Sequence, residues 1–129
     1  MITRLAEEER LAGAVVHAST VYLAGQVADD TSLDAEGQTA DILRQIDALL
    51  DQAGTSKRYL LSIQIFIADM ADFAGMNRAW DAWLDRSHKP ARATVQAQLA
   101  DPSWRVEITG TAALPPIIPR PGQSETQYA

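Results

Sequence analysis

Apolar residues recur along this chain with two different periods, and the changes of period divide it into elements. Residues 13–27, Gly-Ala-Val-Val-His-Ala-Ser-Thr-Val-Tyr-Leu-Ala-Gly-Gln-Val, are rich in β-branched side chains and interrupted at Ala18-Ser19, which predicts a hairpin. Gly25-Gln26 ends its second strand where the backbone can approach another group closely. A polar loop, Asp29-Asp30-Thr31-Ser32, follows. Ile42, Ile46, Leu49, Leu50 and Ala53 then fall at helical spacing, which predicts a helix from Asp34 to Ala53 with Gly54 as its C′ residue. Asp41, Arg44, Asp47 and Asp51 are assigned to its solvent face. From Tyr59 to Ala68 the period becomes two, with Leu61, Ile63, Ile65 and Ile67 on one face and Ser62, Gln64 and Phe66 on the other. That second face is expected to be partly covered. Phe73, Met76, Trp80, Trp83 and Leu84 trace a second amphipathic helix within residues 71–86. Residues 91–99 and 104–114 read as two more strands joined through the turn signal Asp101-Pro102.

The order is therefore β-β-α-β-α-β-β. One mixed or antiparallel sheet with two helices on one face is the simplest α+β arrangement of these elements. The uncovered face of such a sheet is expected to be closed by oligomerisation. Pro115-Pro-Ile-Ile-Pro-Arg-Pro-Gly122 holds four of the six prolines, so residues 1–114 are read as one domain and residues 115–129 as an extended Pro-rich tail.

Composition narrows the chemistry. The 129 residues suit a single domain. No cysteine is present, which rules out disulfides, thiolate catalysis and Cys-based zinc sites. The two histidines, His17 and His88, lie far apart, so no metal site is expected from one chain. Eleven basic residues stand against 17 acidic ones, a formal net charge of −6, and the cations are scattered. Nucleic acid is therefore not an expected partner. No apolar run approaches the ~20 residues needed to span a bilayer. The start, Met1-Ile-Thr-Arg-Leu-Ala-Glu-Glu-Glu-Arg10, lacks the apolar region of an export signal, so a cytoplasmic location is expected.

The candidate chemistry sits in Lys89-Pro-Ala-Arg-Ala-Thr-Val-Gln-Ala-Gln-Leu99 and Trp104-Arg-Val-Glu-Ile108. These segments place Arg92 and Glu107 on what read as neighbouring strands among mostly apolar and small residues. A guanidinium and a carboxylate on a half-buried strand need a partner. Arg92 offers a planar fork for a ligand carboxylate, or else forms an internal ion pair with an acid such as Glu107. Glu107 orients a water, or else satisfies an Arg or backbone amides. Thr94 offers its hydroxyl to a cleft or is simply a β-branched strand residue. Asn77 reads as a helix-surface or capping residue, His17 as structural, and Trp80 and Trp83 as core. His88 reads as a loop residue before Pro90 or else borders the candidate cleft, Trp104 lines a pocket or a subunit contact, and Arg10 is weighed as a second substrate-binding cation.

Three blocks carry a resemblance to a known family: Thr20-Val-Tyr-Leu-Ala-Gly-Gln26, Asp72-Phe-Ala-Gly-Met-Asn77, and Pro90-Ala-Arg-Ala-Thr94 with Val106-Glu-Ile108. In order and separation, over residues 13–114, they resemble the reactive intermediate deaminase family (RidA, also called YjgF). The resemblance implies a chorismate-mutase-like α+β fold, a homotrimer whose sheets form a central barrel, and ligand sites in the clefts between subunits. It implies hydrolysis of enamine and imine intermediates such as 2-aminoacrylate to a 2-keto acid and ammonia, without a cofactor. Arg92 would bind the substrate carboxylate and Glu107 would position the attacking water. Asn77 and Gly25 match family positions near the cleft. The chain departs from the best-studied branch at Arg10-Leu-Ala-Gly-Ala-Val15, where that branch has Gly-Pro-Tyr-Ser-Gln, at Ala24 for Ser, and at Thr94 for Cys. Two rival functions use the same cleft: a non-catalytic sensor of a small carboxylate, and a pathway-specific small-molecule enzyme with a reshaped pocket. An RNA-cleaving activity fits poorly with the acidic balance.

Overall fold

A computed structural model describes residues 1–117. Its strands are β1 (Ile2–Glu7), β2 (Ala12–His17), β3 (Thr20–Gln26), β4 (Leu60–Ile67), β5 (Ala91–Gln96) and β6 (Val106–Ala113). The helices are α1 (Ala35–Ala53) and α2 (Phe73–Trp83), with 3₁₀ turns at Lys57–Tyr59 and Met70–Asp72. The six strands form one mixed sheet in the order β1-β2-β3-β6-β4-β5. Only β4 and β5 pair in parallel. The expected Pro-rich tail is described through Ile117, with Pro115, Pro116 and Ile117 exposed; residues 118–129 lie outside the described residues.

Chain connectivity explains why both helices share one face. β3 and β4 each run antiparallel to β6, so they are parallel to one another, and α1 joins them as a crossover. The connection β4–α2–β5 is a second crossover that moves in the same direction across the sheet. Crossovers of one hand that progress in one direction put their helices on the same side. The core forms there. It joins Ile42, Leu43, Ile46 and Leu50 of α1, and Met76 and Trp80 of α2, to Ala14, Val21, Leu23, Ile63, Ile65, Ile67, Val106, Ile108 and Ala112 of the sheet. Each large aliphatic side chain buried there contributes about 1.5–3 kcal/mol.

Helix α1 begins and ends where its sequence directs. The Asp34 carboxylate accepts from the Gly37 amide at 2.8 Å as N-cap, and Gly54 takes a left-handed φ of 86° at the C-terminus. Asp41, expected on the solvent face, is 7% exposed instead. It accepts from the Asp29 amide at 2.7 Å and thereby fixes the loop leading into the helix. Phe73, expected in the core, remains 37% exposed.

Three further expectations are corrected. β1 was not anticipated: Ile2-Thr-Arg-Leu-Ala-Glu7 shows no clear alternation because, as an edge strand, it is held by backbone pairing to β2. Leu61 does not share the core face, since the register shift between Leu60 and Ser62 buries Leu60 and leaves Leu61 50% exposed. β5 and β6 are not neighbours, because β4 lies between them.

The face away from the helices carries Tyr22, Phe66 and Val95 beside a central ladder of small and polar residues. Ser62 and Gln64 of β4 stand beside Thr109 and Thr111 of β6 and Ala91 and Ala93 of β5. The Ser62 and Thr111 hydroxyls are 2.9 Å apart.

Gln38, fully buried on α1, ties the helix to the β5–β6 connection. Its Nε2 donates to the carbonyls of Leu33 at 3.1 Å and Ser103 at 3.0 Å, and its Oε1 accepts from the Arg105 amide at 2.8 Å. Gln38→Leu strands these backbone groups without partners. The variant is expected to lose about 3 kcal/mol of stability, read as a lower urea midpoint at unchanged slope.

Candidate functional site

Strand alternation decides which candidates can meet. Paired residues on adjacent strands point to the same side of a sheet. Arg92 pairs with core-facing Ile63 and Thr94 with core-facing Ile65, so both point to the helix side. Glu107 pairs with Phe66, which alternates with Ile65 and Ile67, so it points to the open side. Arg92 and Glu107 therefore lie on opposite faces, one strand apart. Within one chain they cannot form the internal ion pair left open from the sequence.

On the helix side, Arg92 lies on edge strand β5, half-buried beneath α2. Its Nη1 donates to Oδ1 of Asn77 at 2.8 Å, and its guanidinium carbon lies 5.2 Å from the Trp80 ring centroid. Asn77 and Trp80 are three residues apart on α2, a spacing that puts two side chains on one helix face. Asn77, read as a surface or capping residue, thus holds the key cation. Both of these partners are neutral. Among the described residues, none of the ion pairs within 4 Å includes Arg92. Its charge stays uncompensated and four of its five N–H donors are left for other acceptors.

Thr94 follows two residues later on the same side. Its Oγ1 is buried and has no hydrogen-bond partner among the described residues. A stranded hydroxyl of this kind is costly unless something outside the described residues meets it.

On the open side, Glu107 stands over Gly25. The ladder between β3 and β6 slips between Leu23 and Gln26, and the Thr109 hydroxyl takes up the Leu23 carbonyl there at 2.6 Å. This bulge brings the Gly25 backbone beneath the carboxylate. A Cβ at Gly25 would collide with Oε2 of Glu107. Glycine here lets the carboxylate lie close against the backbone, and a Cβ would make the Glu107 side chain swing aside. A hollow of about 450 Å³ on this side of β5, β4 and β6 includes Ser62, Gln64, Ala91, Ala93, Thr109 and Thr111 in its lining.

The remaining candidates are spread out. His88 pairs with Asp85 at 3.1 Å in the loop before β5, and the Ser87 amide holds the Asp85 carboxyl below its usual range. Arg10 is exposed in the β1–β2 turn, and His17 is exposed at the end of β2. Trp104 lies before β6 and borders a separate hollow of about 460 Å³ with Gln96, Gln98 and Asp101. Among the described residues, no group of three or more His, Cys, Asp or Glu is placed to hold a metal ion. No described helix is long and apolar enough to cross a membrane. The Trp80 contact was missed by sequence reasoning. Its signal was the Asn77–Trp80 spacing of three on the helix that precedes the Arg92 strand.

Comparison with known proteins shows the family to which the chain belongs. The family model described as Endoribonuclease L-PSP matches residues 1–114. The RutC family protein YoaB of Escherichia coli K12 is 46% identical over 113 residues, covering 88% of this chain and 98% of that one. A crystal structure of a YjgF family member from Neisseria meningitidis is 40% identical with a TM-score of 0.88, covering 91% of this chain and 98% of that one. An uncharacterised protein from Pseudomonas aeruginosa is 43% identical with a TM-score of 0.87, covering 89% of this chain and all of the other. The chain belongs to the RidA/YjgF family, also called RutC and L-PSP.

Proposed function

We propose that the protein hydrolyses small reactive enamines and imines of the 2-aminoacrylate type to a 2-keto acid and ammonia, in sites between the subunits of a homotrimer. The observation that carries this reading is Arg92, a half-buried guanidinium held by the neutral groups Asn77 and Trp80. An arginine so held favours a planar anion in its edge, and a carboxylate accepts two parallel N–H bonds there.

The subunit arrangement follows from the faces. Arg92 borders the sheet on edge strand β5, and Glu107 points from the opposite side. A second copy that brings its open face to the β5 edge of the first supplies the missing acid. In a cyclic trimer this contact repeats head to tail and gives three equivalent sites. Each combines Arg92, Asn77 and Thr94 with Gly25 and Glu107 of the partner subunit.

The chemistry asks little of the protein. 2-Aminoacrylate tautomerises to the imine, water adds to C2, and the resulting carbinolamine expels ammonia to leave the ketone. Arg92 fixes the carboxylate so that C2 faces the water. Glu107 of the partner subunit accepts a proton from that water and returns it to the leaving nitrogen. Gly25 of the partner subunit leaves room for the carboxylate to lie flat against the backbone. Positioning supplies most of the rate. The reaction as written draws on no cofactor.

Three outcomes are expected. Arg92→Ala lowers kcat/KM for 2-aminoacrylate generated in situ by at least about a hundredfold, while sedimentation still shows the wild-type assembly. Tight binding of 2-ketobutyrate by the wild type with no imine turnover would instead mark the protein as a sensor. Arg92→Ala and Glu107→Gln, each inactive alone, recover roughly a quarter of wild-type activity when unfolded together and refolded as mixed trimers, because one site in four then inherits both intact groups. No recovery would mean that the two groups do not act across an interface. Gly25→Ala displaces the Glu107 carboxylate and lowers kcat about tenfold with little change in KM.

A further inference from the structure

We infer that Trp80 is a positioning residue for the bound carboxylate, acting through its cation–π contact with the Arg92 guanidinium; the inference rests on Arg92 being the carboxylate anchor. Helical and strand spacing alone would assign Trp80 to the core, and it is 5% exposed. Its ring also does something that an aliphatic core residue cannot. The guanidinium carbon lies 5.2 Å from the ring centroid, within the ~6 Å reach of a cation–π contact.

The contact holds the cation without neutralising it. Asn77 takes one N–H through its amide oxygen, and the Trp80 ring confines the guanidinium through a second contact that brings no oxygen to compete with a ligand carboxylate. An acidic residue in its place would also hold the guanidinium but would neutralise the charge.

The ring that confines the cation is itself braced. Trp80 lies against Trp83 with centroids 5.5 Å apart and planes tilted by 50°. Trp83 in turn donates its indole N–H to Asp47 on α1 at 2.9 Å. From the 3₁₀ turn before β4, the Lys57 ammonium lies 5.1 Å from the Trp83 ring centroid and donates to the Trp83 carbonyl at 2.5 Å. Lys57, Trp83, Trp80 and Arg92 thus form a continuous stack of cation, ring, ring and cation. It links α1 and the turn before β4 to the edge strand that carries the anchor.

Fluorinated tryptophans test this without changing the shape of the ring, since each added fluorine drains the π face. The full chain is produced with tryptophan, 5-fluorotryptophan and more heavily fluorinated analogues, and 2-ketobutyrate binding is followed by calorimetry. The Kd is expected to rise stepwise, by about fivefold over the series, while the urea midpoint stays nearly constant. In Trp80→Phe, where only Trp83 and Trp104 carry fluorine, the trend should vanish. Should Trp80→Phe fail to fold, the stepwise rise must persist in both Trp83→Phe and Trp104→Phe. A flat series in the wild type overturns the role of Trp80, and if Arg92→Ala still abolishes binding, the anchor assignment survives it. Unchanged binding by Arg92→Ala overturns the anchor instead.

Discussion

A positive charge on an edge strand, gripped only by neutral groups, is the feature from which the rest of this account follows. An arginine half removed from water commonly neutralises itself against an acid, and Arg105 does so in this protein. It meets Asp72, in the 3₁₀ turn before α2, through Nε and Nη2. Arg92 has an amide oxygen and an indole face instead. Such an arrangement contributes less to the stability of the protomer than an ion pair would. It leaves a fixed, oriented cation beside an unpartnered Thr94 hydroxyl. Both groups await something the described chain does not supply.

The pleat imposes the second constraint. Side chains alternate along β4 from Ser62 to Ile67, and its two neighbours follow its register there, so Arg92 and Glu107 must face opposite ways. A one-residue slip of β6 would bring them to one face but would also expose Ile108 and drive Glu107 into the core. The hydrophobic pattern therefore holds the two charged groups apart as firmly as it holds the fold. On the proposed reading, each protomer bears two incomplete halves of a site. That is a physical reason for function to require assembly, independent of how much apolar surface the assembly covers. The open face mixes Ser62, Gln64, Thr109 and Thr111 with the apolar Tyr22, Phe66 and Val95.

Much of this was legible in the chain. The caps of α1 at Asp34 and Gly54, the alternation of Ile63, Ile65 and Ile67, and the hairpin turning at Ala18-Ser19 are local features, and local chemistry settles them. The family blocks pointed to Arg92, Asn77, Gly25 and Glu107, which the fold sorts into two pairs. What the sequence hid was spatial order. β5 and β6 are consecutive, yet β6 inserts between β3 and β4, and no periodicity in either strand reports which neighbour it will choose. β1 was hidden because an exposed edge strand has no buried face to mark it. Asp41 and Trp80 were misjudged or half-read for a related reason. Helical spacing says which side a residue faces but not that Asp41 will meet a loop amide or that a core indole will meet a cation.

The most direct test of the central claim is a crystal structure of the assembled protein with 2-ketobutyrate bound. The account predicts the ligand carboxylate in the edge of the Arg92 guanidinium, with Glu107 of the partner subunit facing the carbonyl carbon. Arg92 ion-paired to an acid of a neighbouring copy, with the keto acid bound elsewhere, would contradict it.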